Sequence, residues 1–185
     1  LIPLLIAGAS IHYSNEYADI ETDKMTERTP FSGGSGVLAE GIIFRRTVGQ
    51  GMWILLMIAV GLSGACVLVS QLTMTAFIIL LTGLFFGWMY SLPPLKLGWR
   101  GWGELDNAIL GGMLLALYGY AVVSDRITLE TIVMFLPFTG LVFINLLATT
   151  WADREADVIV GKNTLATRFN SSQLRALYCS VAVVS

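Results

Sequence analysis

The sequence is poor in what a water-soluble domain needs. Charged residues are 13% of its 185 positions while 55% are hydrophobic, and mean hydropathy is +0.72; soluble domains carry about 25% charge. That shortage excludes an ordinary soluble globule and places the chain in a bilayer. Only two cysteines are present; Cys66 and Cys179 lie in apolar segments, which excludes a disulfide framework or a thiolate metal clip and makes them packing residues. No basic tract is present, so nucleic acid is not an expected partner.

What the sequence does have is long apolar runs. Residues 51–70, 72–95, 107–124 and 131–152 carry no charge and approach the roughly 20 residues a helix needs to cross the hydrocarbon core. Shorter apolar stretches at 1–14 and 176–185 break off at the chain ends, and no initiator methionine is present. The expected fold is therefore all-α, a multi-span transmembrane helical bundle forming one domain over residues 1–185, read as a fragment truncated at both ends.

Counting spans puts Lys24, Arg28, Arg45, Arg46, Lys96, Arg100, Arg154, Lys162, Arg168 and Arg175 on one face and only Arg126 on the other. Positive charge marks the cytoplasmic side, so the three long loops at about 17–50, 93–105 and 153–172 are expected to be cytoplasmic. Ser32, Gly33, Gly34, Ser35 and Gly36 in the first loop suit a turn or a backbone approaching an anion, although a plain flexible loop has the same composition.

Acidic residues gather at the same boundary. An apolar stretch runs into Asn15, Asp19 and Asp23, and another into Asn145, Thr149, Asp153 and Asp157. Four-residue spacing places each set along one helical face, suggesting two pseudo-equivalent halves. Carboxylates pointing together repel unless a cation lies between them, and oxygen-only donors suit magnesium held partly by substrate phosphates. Two such clusters at one depth can clamp a single diphosphate.

Here the chain resembles a known family. Asn15-Glu16-Tyr17-Ala18-Asp19-Ile20-Glu21-Thr22-Asp23 is similar to the Asn-Asp-x-x-Asp-x-x-x-Asp signature of the UbiA superfamily of intramembrane prenyltransferases, with Glu16 where an aspartate is usual. Asp153 through Asp157 to Gly161-Lys162-Asn163-Thr164-Leu165-Ala166 resembles the later Asp-x-x-x-Asp motif, and Tyr90-Ser91-Leu92-Pro93-Pro94 resembles the central loop. The resemblance implies a piece of a nine-helix fold, from the second helix into the seventh. It also implies magnesium-assisted ionisation of an isoprenyl diphosphate and attack by an electron-rich, aromatic acceptor.

The residues expected to carry this are Asn15, Asp19, Asp23, Asp153 and Asp157 as metal ligands, the four aspartates being catalytic, with Arg28, Tyr90, Lys96, Arg100, Asn145 and Lys162 meeting substrate. Arg28 and Lys96 are the preferred phosphate partners and Arg168 a further candidate; positive-inside topology alone also explains such residues. Phe85, Phe86, Trp88 and Tyr90 are candidates for ring-face stabilisation of an allylic cation, packing being the commoner role. His12 is expected to be a buried histidine held by a neighbouring helix. The Thr-Leu-Ala and Arg-Gly-x-Gly-Glu stretches are similar to the menaquinone branch, whose acceptor is dihydroxynaphthoate; homogentisate, hydroxybenzoate, chlorophyllide and glycerol lipids are alternatives. Two rivals are a non-catalytic lipid-binding member of the fold and an ion pathway. The second predicts acids at mid-membrane depth rather than at one boundary.

The charge asymmetry has a direct test. A membrane-impermeant thiol reagent applied from outside is expected to label a cysteine placed at Ser124 and to spare one placed at Ser35 or Ser171; outside labelling of position 35 or 171 reverses the orientation.

Overall fold

A computed structural model of the chain describes residues 1–25 and 35–185. Nine α-helices follow one another among the described residues: α1 (Ile2–Asp23), α2 (Arg45–Leu68), α3 (Met74–Ser91), α4 (Gly103–Asn107), α5 (Leu115–Val123), α6 (Leu129–Ala152), α7 (Arg154–Ile159), α8 (Leu165–Arg168) and α9 (Ser171–Val184). A 3-10 turn (Leu97–Trp99) precedes α4, and a π-helical turn (Ala108–Leu114) joins α4 to α5. Among the described residues, four helical stretches are long and apolar enough to cross a membrane: Arg45–Leu68, Met74–Ser91, Gly103–Val123 and Leu129–Ala152. The chain is an all-α, multi-span membrane bundle.

These spans correct the boundaries expected from uncharged runs. The Thr73 hydroxyl accepts the Ala76 N–H at 3.1 Å and starts α3 there, while Pro93 and Pro94 deny the helix further backbone donors, so it stops at Ser91 rather than at position 95. Helix α2 begins at Arg45, ahead of its uncharged run, because nothing in Arg45, Arg46 and Thr47 breaks a helix.

The packing is that of a membrane bundle, with small residues among those at the helix contacts and many large apolar ones facing outward. Ala7, Ser10, Ser14, Ala59, Ser63 and Ala76 are buried, whereas Trp53, Met57, Ile78 and Val133 are exposed. One buried polar knot ties three helices. The Trp88 indole N–H donates to Ser10 Oγ at 3.0 Å, and that hydroxyl donates to the Met52 carbonyl at 2.9 Å. With few ways to satisfy a donor in hydrocarbon, such a relay fixes how α1, α2 and α3 meet.

The π-helical turn lies against α6 where that helix carries Pro137 in its interior. A Cβ at Gly112 would stand 2.6 Å from Thr139 Cα, a backbone atom that cannot swing aside. Gly112→Ala is therefore expected to lower thermal stability in detergent, by about 1–3 kcal/mol. Gly64→Ala, where a Cβ meets nothing within 4 Å, serves as control. Equal melting temperatures for the two variants would show that the close approach does not constrain the bundle.

Candidate active site

The first acidic motif sits on the polar end of α1, where an unbroken helix keeps Asn15, Asp19 and Asp23 on one face. Ser91, at the end of α3, donates its hydroxyl to Asn15 Oδ1 at 2.6 Å and so orients that amide. Asp19 lies within hydrogen-bonding reach of the Trp99 side chain, yet its Oδ1 is buried without a hydrogen-bond partner. Glu16, at the position where the signature usually has aspartate, is engaged elsewhere. Its two oxygens accept from the Ser35 N–H at 2.7 Å and the Ser35 hydroxyl at 2.8 Å.

The second motif is built differently. Helix α6 ends at Ala152 and α7 begins at Arg154, with Asp153 as the joint at φ −87° and ψ 3°. The helical hydrogen bonds nevertheless run through, Asp153 N–H to the Thr149 carbonyl at 3.2 Å and Asp157 N–H to the Asp153 carbonyl at 2.9 Å. The stripe expected as one continuous helix therefore bends at Asp153 without losing its four-residue repeat.

Lys162 is brought between the two motifs. Its Nζ lies 3.7 Å from Asp157 Oδ1, with side chains 16% and 8% exposed. Asp157 Oδ2 is buried and unpartnered. Burial, with repulsion from Asp153 and Asp19, pushes the Asp157 carboxyl up to about 6 despite the attraction of Lys162. Burial alone pulls Lys162 down, but Asp19, Asp157 and Asp153 around it outweigh that and hold it above the usual lysine range.

The central loop frames both motifs. Lys96 takes a left-handed conformation at φ 46° and ψ 52° and places its ammonium 5.4 Å from the Trp99 ring centre. The ring of Tyr90 packs against Gly98 and Gly103. Arg100 enters through its backbone. Its carbonyl accepts from Arg168 Nη2 at 2.9 Å, and it forms the isolated parallel bridge with Asn163. The Arg168 guanidinium lies where a Cβ on Gly101, at φ +83°, would stand. Arg168 thus pins two loops together. Asn145, two turns before Asp153, is exposed, and Arg28 lies outside the described residues, as do Ser32, Gly33 and Gly34 of the glycine-rich stretch.

Glu104 was not anticipated from sequence. It is 1% exposed, and its Oε1 accepts from the Leu165 N–H at 2.9 Å and the Thr150 hydroxyl at 3.3 Å. One carboxylate thus fastens the central loop to α6 and to the segment that carries Lys162. Its position in Arg-Gly-x-Gly-Glu was the available signal, but adjacency to a loop motif does not reveal a buried acceptor.

Membrane-ward of the acids lies a cavity of about 330 Å³ between α1, α3 and the π-helical turn, lined largely by apolar side chains. Gly8 and Gly83 line it, and a Cβ at either would meet nothing within 4 Å. His12 is exposed and lines this cavity; the expected buried histidine held by a neighbouring helix is not found. Seven residues separate it from Asp19, roughly 10 Å along the helix. The aromatic candidates divide. Phe85 and Phe86 are 55% and 38% exposed and Trp88 is committed to Ser10, which leaves Tyr90 beside the acids.

Among the described residues no three carboxylates, histidines or cysteines gather closely enough to hold a metal by themselves. Magnesium does not require that, being held by one or two carboxylates with phosphate and water completing its shell. The orphaned, hard oxygens of Asp19 and Asp157 fit such an ion.

The model of the UbiA prenyltransferase family matches residues 1–185. A 1,4-dihydroxy-2-naphthoate octaprenyltransferase of Bacillus subtilis is 30% identical over 86 residues, 46% of this chain and 28% of that protein. The structure of a UbiA homolog from Archaeoglobus fulgidus bound to DMAPP and Mg2+ has the same fold, with a TM-score of 0.77 at 16% identity, covering 100% of this chain and 64% of that one. The chain thus spans less than two thirds of either protein's length.

The Glu104 fastening predicts a local effect. Glu104→Ala is expected to raise hydrogen–deuterium exchange across residues 161–168 by about tenfold or more, since a buried N–H and hydroxyl lose their acceptor. Glu104→Gln, which keeps an acceptor oxygen, is expected to exchange nearly as the parent does. Unchanged protection in Glu104→Ala would show that the segment is held by other contacts.

Proposed function

The chain belongs to the UbiA prenyltransferase family, and on that premise we propose that it works as a magnesium-dependent prenyltransferase moving the prenyl group of an isoprenyl diphosphate onto an aromatic acceptor, dihydroxynaphthoate being the acceptor best supported. One observation carries the reading: Asp19 and Asp157, on separate helices, each keep a buried oxygen without a hydrogen-bond partner, with Lys162 beside Asp157. The Archaeoglobus homolog, bound to DMAPP and Mg2+, supports the diphosphate and the metal. The Bacillus relative's name supports the acceptor.

In this reading Asp19 and Asp23 from α1 face Asp153 and Asp157 across the site, with Asn15 held as a further oxygen donor by Ser91. Magnesium at these oxygens would supply positive charge to the diphosphate as its bond to the allylic carbon weakens. Lys162 and Lys96 approach from two loops and place ammonium groups where phosphate oxygens arrive, and Arg28 and Arg100 add charge at the rim. The cavity takes the hydrocarbon tail, with room left by Gly8 and Gly83. Tyr90 turns an aromatic ring toward the developing cation, and Asn145 lies along the stripe where an acceptor enters. The site is proposed to open to the cytoplasm, the face on which the basic residues collect.

Asp19→Asn and Asp157→Asn are each expected to cut prenyl transfer by orders of magnitude while insertion is unchanged. In the parent, lowering the pH through about 6 protonates Asp157 in the metal-free protein. The magnesium concentration for half-maximal rate is expected to rise accordingly, because the metal must displace that proton. Turnover of an isoprenyl diphosphate with dihydroxynaphthoate, assayed across magnesium and pH, checks both. A correctly inserted Asp157→Asn protein with the parent's magnesium-dependent rate would remove the two-sided clamp.

A further inference from the structure

The same corner contains an arrangement that catalysis by itself does not require. Asp157 and Lys162 form an ion pair at 3.7 Å, both largely withdrawn from solvent. The connection between them is short and tightly made. Gly161 takes φ +74°, and the Lys162 N–H donates to the Asp157 carbonyl at 2.8 Å. The next residue is fixed from the other side, its N–H donating to the Trp99 carbonyl at 3.1 Å. Two residues further, the Leu165 N–H is held by Glu104. Lys162 is thus pinned on both flanks, and its ammonium is delivered to the acids by rigid backbone, not by a free loop.

It contacts Asp157, and the acids whose field it feels come from both motifs. Asp19 on α1 and Asp157 and Asp153 around α7 all act on Lys162, and Asp19 and Asp157 each retain a free buried oxygen. Two acidic stripes converging on one boundary would repel each other in the protein without metal. A single ammonium beside them offsets part of that repulsion.

We propose that Lys162 is the resident counter-ion of the metal-free site, bridging the two acidic motifs until a metal–diphosphate pair displaces it. The inference rests on the reading that both motifs take up the metal. A divalent ion arriving alone must compete with an ammonium whose backbone mount is fixed and then finds itself beside a second cation. A metal arriving with diphosphate brings the anion onto which the ammonium transfers. Lys162 therefore holds metal-alone affinity low and couples metal entry to substrate entry, which keeps the acids from being filled before a diphosphate is present.

The test reads metal binding rather than turnover. Mn2+ is titrated into the membrane-reconstituted protein without any diphosphate, and free Mn2+ is counted by electron paramagnetic resonance. Lys162→Met is expected to bind Mn2+ alone about tenfold more tightly than the parent, since one opposing charge at contact range is gone. Lys162→Arg, which keeps the charge, is expected to stay close to the parent. Equal or weaker Mn2+ binding in Lys162→Met overturns the proposal and leaves Lys162 as a phosphate ligand only. The parent supplies a second readout that needs no variant: Mg2+ without diphosphate is expected to increase modification of Lys162 by an amine-directed reagent, quantified by mass spectrometry. Unchanged or reduced modification at a Mg2+ concentration that displaces bound Mn2+ from the parent overturns the proposal as well. Prenyl transfer by the parent, measured separately, decides the functional reading without bearing on either result.

Discussion

The constraint on which the structure depends is the burial of carboxylates at a membrane boundary. Asp157 and Glu104 are nearly closed to solvent, in a chain with little polar surface to spare. A buried carboxylate needs hydrogen bonds or a neighbouring positive charge. Each of these acids is answered differently. Glu104 accepts a backbone N–H and a hydroxyl, Asp157 meets Lys162, and Asp19 meets Trp99 and the field of Lys162. Buried oxygens of Asp19, Asp157, Glu104 and Asp106 are left without a hydrogen-bond partner, and those of Asp19 and Asp157, which lie in the two acidic motifs, are the ones proposed as binding capacity.

That constraint explains why short irregular segments outside the spans are so closely tied. The 3-10 turn and the segment from Gly161 to Arg168 touch through backbone hydrogen bonds, a parallel bridge and the Arg168 guanidinium. Loops joining membrane helices are ordinarily the mobile parts of such proteins. Here they carry the charges that make the acids tolerable, and backbone and side-chain hydrogen bonds tie them to one another. The Ser10–Trp88 relay does the same inside the membrane by locking α1, which bears the first motif, onto α3, which ends beside Asn15.

Much of this was legible in the residues. Uncharged runs located the spans to within a few positions, because the bilayer imposes a length and an apolar composition that the sequence must satisfy. The Asn15, Asp19, Asp23 repeat gave its helical face directly, since three residues four apart on an unbroken helix have only one arrangement. Less was visible where the outcome depended on neighbours distant in sequence. Phe85 and Phe86 are aromatic within five positions of Tyr90 but are exposed, and for Phe86, which shares a helical face with Tyr90, that outcome depends on what packs beside α3. Glu104 looked like part of a glycine-rich turn, and its role follows from Leu165 and Thr150, which lie more than forty positions later. Glu16 fills a signature position and is turned to Ser35.

The placement of polarity along α1 also separates this site from an ion path. From Leu4 through Ile11 the helix lines an apolar cavity, and carboxylates begin only where the helix approaches the loops. A permeating ion would need polar ligands along the whole depth of the membrane, and the cavity offers it mainly hydrocarbon. An amphiphile with an anionic head and a hydrocarbon tail meets the opposite situation. Its tail gains by leaving water for the space beside Gly8 and Gly83, and its head gains by stopping at the lysines and at the metal-ready oxygens of Asp19 and Asp157. Reversing it would bury phosphate in hydrocarbon and strand the tail among charges, and both are costly. For the proposed substrate, the gradient would set the direction of entry and bring the bond between head and tail to the boundary where the acidic motifs and Tyr90 lie.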